Sequence, residues 1–288
     1  MNSTQTKSRN LLILSMSIFG TIGILRRYIP LSTSLVALVR GVIGSVFLLL
    51  VCLLTRRTLN KKAMKDNLLL LALSGAGIGF NWILLFEAYN YTSVATATLC
   101  YYLAPILVIL ASPVVLKEKL TRKKMLCTFT ALIGMVLVSG IAETGFSGMA
   151  ELKGILFGLG AAVLYASVIL MNKKMPGVPS YDKTIFQLGL ASIALLPYVL
   201  LTENWSAVSL TPTALILLLI AGIIHTGIAY WLYFGSMDNL PSHTVALLSY
   251  IDPILAIFLS VLLLREPMSL SAGIGAVMIL GATYISEK

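Results

Sequence analysis

Long apolar runs with few or no charged residues make up most of this sequence. A helix of about 20 apolar residues crosses the roughly 30 Å hydrocarbon core of a bilayer. Only 11% of the residues are charged and 58% are hydrophobic, whereas a soluble domain has about 25% charged residues. The chain is therefore predicted to be an all-α integral membrane protein.

Ten segments are apolar enough to cross a membrane, although several are short for this role. They are Leu11 to Ile29, Leu35 to Leu54, Leu68 to Ala88, Val94 to Leu116, Met125 to Ile141, Ile155 to Met171, Ile185 to Leu201, Thr213 to Phe234, Val245 to Leu264, and Ala272 to Ile285. The sequence thus predicts ten transmembrane helices.

The basic residues between these segments fall mainly on one side of the predicted membrane. If the segments alternate, sixteen Lys and Arg residues lie on the side of both termini and four lie on the other. Because cytoplasmic loops carry the excess of Lys and Arg, we expect a multi-pass protein of a prokaryotic plasma membrane with both termini cytoplasmic. The net charge of +10 is explained by this topology. No aromatic-interleaved basic stripe indicates a nucleic-acid partner.

Neither the cysteines nor the glycines indicate a cofactor. Cys52, Cys100 and Cys127 stand singly in apolar runs, without a CxxC motif. Gly75 and Gly77 lie in an apolar segment with no preceding strand, so we expect them to pack helices and not to bind a nucleotide. The sequence predicts no metal and no cofactor.

The two halves of the chain repeat each other. A shift of 148 positions places ten residues, including a tyrosine, a proline and a glutamate, on identical residues without a gap, and Pro105 falls on Pro253. Since the shift spans five predicted helices, an odd number, the second copy must cross the membrane in the opposite direction. The sequence therefore predicts two inverted repeats, residues 1–146 and 147–288. Secondary transporters with this architecture bind their substrate near the midplane between the repeats.

Several segments resemble a known family in their order and spacing. They are Phe19-Gly20, Arg40, FEAYNYTSVATATLCYYLAPILVIL from Phe86, and HTGIAYWLYFGSMDNLPSHTVALLSYIDPILAIFLSVLLLREP from His225. The chain resembles the EamA-type members of the drug/metabolite transporter superfamily. This resemblance implies two five-helix bundles around a central cavity. It also implies alternating-access transport, often efflux, of small metabolites such as amino acids or organic cations. A tryptophan common in the family is Phe19 here.

Two charged residues inside predicted helices are candidates for substrate binding. Asp252 lies near the middle of its segment, where a charge costs about 2.5 to 3.5 kcal/mol on insertion scales. We expect it to bind an ammonium group or to couple transport to protons, and the alternative is a polar contact between helices. Arg40 is expected to capture a substrate carboxylate or to pair with Asp252 or Glu87, unless it extends to the interface.

The prolines and the remaining polar candidates also occur within or at the ends of predicted helices. Pro105 and Pro253 are expected to break their helices, because proline lacks the N–H that a helix interior needs. Glu87 and His225 are weaker candidates, since the first can face water and the second can bond to a neighbouring hydroxyl or carbonyl. Glu118 is expected to be a cap or gate contact.

Aromatic side chains are predicted to form an apolar or cation-stacking wall, with helix packing or an interfacial belt as the alternative. The predicted wall residues are Tyr101, Tyr102, Tyr250, Trp82 and Tyr230.

The sequence favours a secondary-active transporter whose substrate is a small metabolite and whose coupling ion is expected to be the proton. We expect it to be a monomer or a homodimer that contacts membrane lipids. An intramembrane enzyme is the main alternative, but HExxH and GxSxG motifs are absent. A passive channel is the other alternative, and no charged ring or filter-like loop supports it.

Overall fold

The computed structural model describes residues 3–92, 97, 100–139, 149–264 and 269–287. Within these residues all regular structure is helical. The helices are α1 (Ser3–Arg27), α2 (Thr33–Leu54), α3 (Lys61–Asp66), α4 (Leu68–Tyr91), α5 (Ala104–Val115), α6 (Arg122–Ser139), α7 (Met149–Lys173), α8 (Ser180–Thr202), α9 (Pro212–Gly222), α10 (Ala229–Met237), α11 (Ser242–Leu248), α12 (Ile251–Leu264) and α13 (Leu270–Glu287).

Six of the described helices or continuous helical stretches are long and apolar enough to cross a membrane. They are Ser3–Arg26, Thr33–Leu54, Leu68–Tyr91, Glu151–Lys173, Ser180–Thr202 and Pro212–Met237. The other predicted segments overlap α5, α6, α11 with α12, and α13. Described helices therefore overlap all ten predicted segments. At six of these segments the helix is long and apolar enough to cross a membrane.

Both predicted proline breaks occur. Helix α5 begins at Ala104, so that Pro105 lies in its first turn, and α12 begins at Ile251, just before Pro253. The first turn of a helix tolerates proline because its N–H groups have no intrahelical partner. Each proline thus marks the start of a new helix after a turn.

A π-helical segment, Ile223–Ile228, joins α9 to α10. The hydroxyl of Thr226 donates to the carbonyl oxygen of Ala221, five residues earlier, at 2.9 Å. Helix α2 packs closely here, because a Cβ on Gly44 would lie 3.0 Å from the carbonyl oxygen of Gly222. The eighth predicted segment is therefore helical throughout, but its central turn is a π-helix and not an α-helix.

Glycines allow α4 and α8 to pack closely, as the sequence predicts. A Cβ on Gly79 would lie 2.7 Å from the carbonyl oxygen of Ala191, and one on Gly75 would lie 2.8 Å from the Cβ of Leu190. Small residues at such interfaces bring the backbones together, so that dispersion contacts stabilise the pair.

Polar contacts join the first and second halves at the end of the molecule where α1 begins. The Glu118 carboxylate accepts hydrogen bonds from the backbone N–H of Ser242 at 3.0 Å and from its hydroxyl at 2.9 Å. Lys173 Nζ lies 3.7 Å from the same carboxylate. Asn239 Nδ2 donates to Ser8 Oγ at 3.2 Å. Glu118 therefore caps α11, and we call these contacts the Glu118 clamp.

Lys183 does not lie in a loop, although the predicted segments place it between Met171 and Ile185. Helix α8 begins at Ser180, earlier than predicted, and Lys183 in its first turn is fully buried. Its Nζ donates to Asp238 Oδ1 at 3.1 Å and to the carbonyl oxygen of Asn172 at 3.3 Å. This lysine is therefore part of the packed interior beside the Glu118 clamp. The repeat counterpart of Glu118, Glu266, lies outside the described residues.

Substituting alanine for Gly79 should destabilise the protein. The added methyl group would overlap the Ala191 backbone, so α4 and α8 must separate, at a cost of about 1 to 3 kcal/mol. Thermal unfolding of the purified protein measures this effect. Gly281→Ala is the matched control, because a Cβ there meets nothing within 4 Å and alanine favours helix by up to about 1 kcal/mol. Equal melting temperatures for the two variants would contradict the packing assignment.

The Glu118 clamp can be tested with a double-mutant cycle. Glu118→Ala and Ser242→Ala should each destabilise the protein by about 1 to 2 kcal/mol, because each removes a charge-assisted hydrogen bond. The double variant should cost less than the two single costs combined, since both changes break the same contact. Lys119→Ala, at an exposed neighbouring position, is the control and should change stability by less than about 0.5 kcal/mol. Additive costs would indicate that the two residues do not interact.

Candidate functional site

A cavity of 160 Å³ lies where α1, α2, α4, α7, α10 and the two proline breaks meet. We call it the central cavity. Half of its lining residues are aromatic, and its polar side chains include Arg40, Ser249 and Asp252. The aromatic lining residues are Phe19, Trp82, Phe86, Tyr101, Tyr102, Tyr165 and Tyr230.

The aromatic rings contact one another and form a continuous wall. Tyr101 stacks on Tyr165 with 5.3 Å between ring centroids, and Phe19 meets Tyr230 edge to face at 5.1 Å. The Tyr165 hydroxyl donates to the Tyr233 hydroxyl at 2.8 Å. These contacts fix the rings from both halves of the chain, because Tyr101 precedes α5 and Tyr230 belongs to α10.

The guanidinium group of Arg40 is held over an aromatic ring and has no ionic partner among the described residues. Its Cζ lies 5.0 Å from the centroid of the Trp82 ring. Its Nε is buried and makes no hydrogen bond. The predicted ion pair with Asp252 or Glu87 is wrong for this conformation, since no described ion pair within 4.0 Å includes Arg40. Arg40 therefore presents an unpaired positive charge to the central cavity.

Asp252 lies in the first turn of α12, directly after the break, and lines the same cavity. The Tyr102 hydroxyl donates to its Oδ2 at 3.2 Å. A Cβ on Gly20 would lie 2.8 Å from the Asp252 carbonyl oxygen. Only glycine at this position lets α1 approach the Asp252 backbone so closely. This contact explains why residue 20, in the Phe19-Gly20 pair, is a glycine.

Six of the nine predicted site residues line the central cavity. They are Asp252, Arg40, Trp82, Tyr101, Tyr102 and Tyr230. Tyr250 lies behind this wall, where it is fully buried and donates from its hydroxyl to the Tyr102 carbonyl oxygen at 3.1 Å. It therefore supports the turn that carries Tyr102.

Glu87 and His225 lie outside the lining of the central cavity. Glu87 accepts a hydrogen bond from the Tyr198 hydroxyl at 2.7 Å, near the end of α4. His225 lies in the π-helical segment, with its Nε2 2.8 Å from the Thr21 hydroxyl and its Nδ1 3.4 Å from the Ile220 carbonyl oxygen. His225 therefore has a hydroxyl and a carbonyl oxygen as neighbours, which is the arrangement that the sequence analysis gave as the alternative to substrate binding.

The lining residues that were not predicted from the sequence include Met16, Phe86 and Ser249. Phe86 lies four residues after Trp82, and residues four apart share a helix face, so helical spacing could have indicated it. Ser249 precedes the break at Pro253, and its hydroxyl donates to the Val245 carbonyl oxygen at 2.8 Å. Met16 lies on α1 and has no sequence signal that separates it from a packing residue.

A second cavity, of 230 Å³, adjoins the central cavity towards the far end of α1. We call it the outer cavity. The two share Arg40, Phe86, Ile22 and Leu85 as lining residues. The outer cavity also reaches Arg26, in the last turn of α1.

Long apolar helices around an internal cavity define a polytopic membrane protein, and comparison with known sequences identifies its family. The model of the EamA-like transporter family matches residues 9–140 and again residues 152–287. The chain therefore belongs to the EamA-like transporter family. It is a multi-pass membrane transporter of the drug/metabolite transporter superfamily, as its sequence motifs predict.

Similar proteins occur in bacteria and archaea. Uncharacterized transporter YxxF of Bacillus subtilis is 31% identical over 277 residues, which cover 93% of this chain and 85% of that protein. An uncharacterized transporter of Archaeoglobus fulgidus is 28% identical and covers 96% of this chain and 95% of its own length. Protein PecM of Dickeya dadantii is 25% identical and covers 76% of this chain and 73% of its own length.

A crystal structure with the same fold is also known. It superposes with a TM-score of 0.84 over 97% of both chains, at 19% sequence identity. At this identity the likeness concerns the fold alone.

Proposed function

We propose that the protein is a secondary-active exporter of small metabolites that carry an ammonium group, above all amino acids, by alternating access. The observation that carries this proposal is the pair Arg40 and Asp252, which line one cavity without forming an ion pair with each other. A dipolar solute would place its carboxylate at Arg40 and its ammonium group at Asp252.

Energetics support a dipolar substrate. A charge in the interior of a membrane protein is costly unless it is paired or hydrated. Among the described residues, Arg40 contacts only the face of Trp82, and Asp252 accepts one hydrogen bond, from Tyr102. A substrate with both charges would satisfy both side chains at once, whereas a neutral solute would satisfy neither.

The aromatic wall supports a substrate that also has an apolar or aromatic part. Trp82, Tyr101 and Tyr230 offer ring faces and edges that pack against such a group. The same rings attract a cationic ammonium group. Organic cations without a carboxylate are therefore a second substrate class, which would use Asp252 but not Arg40.

For the topology, we propose ten transmembrane helices arranged as two inverted repeats, residues 1–146 and 147–288, with both termini cytoplasmic in a prokaryotic plasma membrane. The two matches to one family model, the matched prolines and the charge asymmetry of the loops support this arrangement. In this orientation the Glu118 clamp is a cytoplasmic gate contact, and the outer cavity faces the opposite side.

Proton coupling through Asp252 is part of the proposal. Asp252 lies beside the Tyr102 hydroxyl and has no described cationic partner within 4.0 Å, so protonation would remove an unpaired charge when the cavity is empty. Binding of a substrate ammonium group would then displace the proton, which is the exchange that an antiporter needs.

The two charged groups can be tested with three probes that share a phenyl ring: phenylalanine, 3-phenylpropionate and phenethylamine. Wild-type protein should be stabilised most by phenylalanine. Arg40→Gln should lose stabilisation by phenylpropionate, and Asp252→Asn should lose stabilisation by phenethylamine, because each variant removes one charge partner. Thermal unfolding with each probe measures these effects. Arg122→Gln and Asp66→Asn, at exposed positions, are matched controls. Equal responses of all variants to all three probes would contradict the proposed site.

Transport itself is tested in liposomes loaded with phenylalanine, with and without a pH gradient. We expect saturable counterflow of labelled phenylalanine, at least tenfold slower in Asp252→Asn, since the loss of one buried charge partner costs about 2 to 5 kcal/mol. Normal transport by Asp252→Asn with an unchanged pH dependence would contradict proton coupling.

The same assay separates a transporter from the two alternatives. Recovery of labelled phenylalanine at unchanged mass indicates a transporter and not an enzyme. Flux that does not saturate would instead indicate a channel.

A further inference from the structure

The outer cavity differs from the central cavity in the sign of its charge. It is lined by two arginines, Arg26 and Arg40, and no acidic residue is among its described lining residues. The central cavity, in contrast, contains both Arg40 and Asp252. A solute that leaves the central cavity through the outer cavity therefore moves from a dipolar site into a positive one.

Arg26 is held in place by the loop that follows α1. Its Nη1 donates to the Ile29 carbonyl oxygen at 2.7 Å, and its Nη2 donates to the Leu31 carbonyl oxygen. These bonds orient the guanidinium group but use neutral acceptors, so they leave its charge without an ionic partner. The Arg26 Nε is buried and makes no hydrogen bond.

Arg40 has the same unsatisfied atom. Its Nε is buried without a hydrogen-bond partner, and it lines both cavities. Glu203, a carboxylate at the end of α8, is not among the described lining residues and accepts a hydrogen bond from Ser32. The outer cavity thus holds two arginines, each with an unsatisfied buried Nε, and no acidic residue among its described lining residues. This arrangement favours the binding of an anion.

The sizes of the cavities agree with shared use by one solute. Small-molecule sites occupy about 300 to 1,000 Å³. The central cavity has 160 Å³ and the outer cavity has 230 Å³, so each alone is below this range and the two together fall within it. Because Arg40 lines both cavities, a solute bound at Arg40 lies next to the outer cavity, which Arg26 also lines.

We propose that the outer cavity is a second binding site for the substrate carboxylate, formed by Arg26 and Arg40. This inference rests on the proposed function, because it assumes a carboxylate-bearing substrate. Guanidinium groups bind carboxylates through parallel hydrogen bonds. The carboxylate first binds Arg40 beside Asp252 and then passes to Arg26, while the ammonium group leaves Asp252. The site selects organic carboxylates over purely cationic solutes on this part of the path.

The test compares full-length wild type, Arg26→Gln and Arg40→Gln for binding of phenylpropionate and phenethylamine by calorimetry. Arg26→Gln should weaken phenylpropionate binding about fivefold to tenfold and leave phenethylamine binding unchanged. Arg26→Lys keeps the charge but loses the paired donors of the guanidinium group, so it should weaken phenylpropionate binding less than Arg26→Gln does. Arg122→Gln, an exposed arginine, is the matched control.

A purely structural role for Arg26 would give a different result. If its bonds to the α1–α2 loop were all that mattered, Arg26→Gln would weaken both probes equally, and this outcome or no change at all would overturn the proposal. If Arg40→Gln weakens phenylpropionate binding and Arg26→Gln does not, only the outer site is wrong. If neither variant weakens it, the proposed carboxylate recognition is wrong as well.

A second measurement needs no substitution. Phenylglyoxal modifies accessible guanidinium groups, and mass spectrometry of wild-type protein reports the extent of modification at Arg26. Phenylpropionate should reduce modification of Arg26 severalfold, and phenethylamine should not. Equal modification with both probes would overturn the proposal even if Arg26→Gln failed to fold.

Discussion

The lack of water in the hydrocarbon core is the constraint on which this structure depends. Each unsatisfied backbone N–H or C=O there costs several kcal/mol, so the chain must be helical unless an internal cavity satisfies it. The described residues follow this rule closely. The irregular turns before α5 and α12 carry Tyr102 and Ser249 into the wall of the central cavity. The breaks therefore occur where residues line an internal cavity, as expected for irregular backbone in a membrane protein.

The same constraint explains how the charges are placed. Arg40 and Asp252 lie in helices but face the central cavity, and aromatic rings cover the surfaces around them. Trp82 provides a π-face for the guanidinium group, and Tyr102 provides a hydroxyl for the carboxylate. Each charge is thus stabilised enough to remain in the membrane protein, yet neither is neutralised. A direct ion pair would remove the need for a charged ligand, and the described conformation lacks one.

Much of the fold was predictable because length, hydropathy and proline position act locally. The long apolar helices, the breaks at Pro105 and Pro253, and glycine packing at Gly75 follow from such local rules. Six of nine predicted site residues line the cavity, and the two charged ones among them were easy to find because charged residues inside apolar runs are few. Glu87 and His225 were harder to place. Sequence fixes the depth of a residue along a helix, but the partner that satisfies it, such as Tyr198 or Thr21, comes from tertiary packing.

The π-helical segment and Lys183 show a further limit of local rules. Hydropathy treats residues 223–228 as an ordinary helix, whereas close contact with Gly44 accompanies a wider turn. Lys183 reads as a cytoplasmic loop charge, but the start of α8 at Ser180 carries it inside, where Asp238 neutralises it. In both cases the local structure depends on packing against a neighbouring helix. That neighbour is distant in the sequence, so a short stretch of sequence does not reveal it.

The repeat explains the scaffold but not the chemistry of the site. Under the shift of 148 positions Pro105 matches Pro253, whereas Asp252 falls on Ala104 and Arg40 falls on Leu188. Each half thus contributes one charge that the other half lacks, and the two opposite charges meet only in the assembled cavity. In the proposed alternating-access mechanism, duplication would supply the two similar bundles that move against each other. Recognition of a solute with two distinct ends requires the halves to differ, and Arg40 and Asp252 are two positions in the lining of the central cavity at which they do differ.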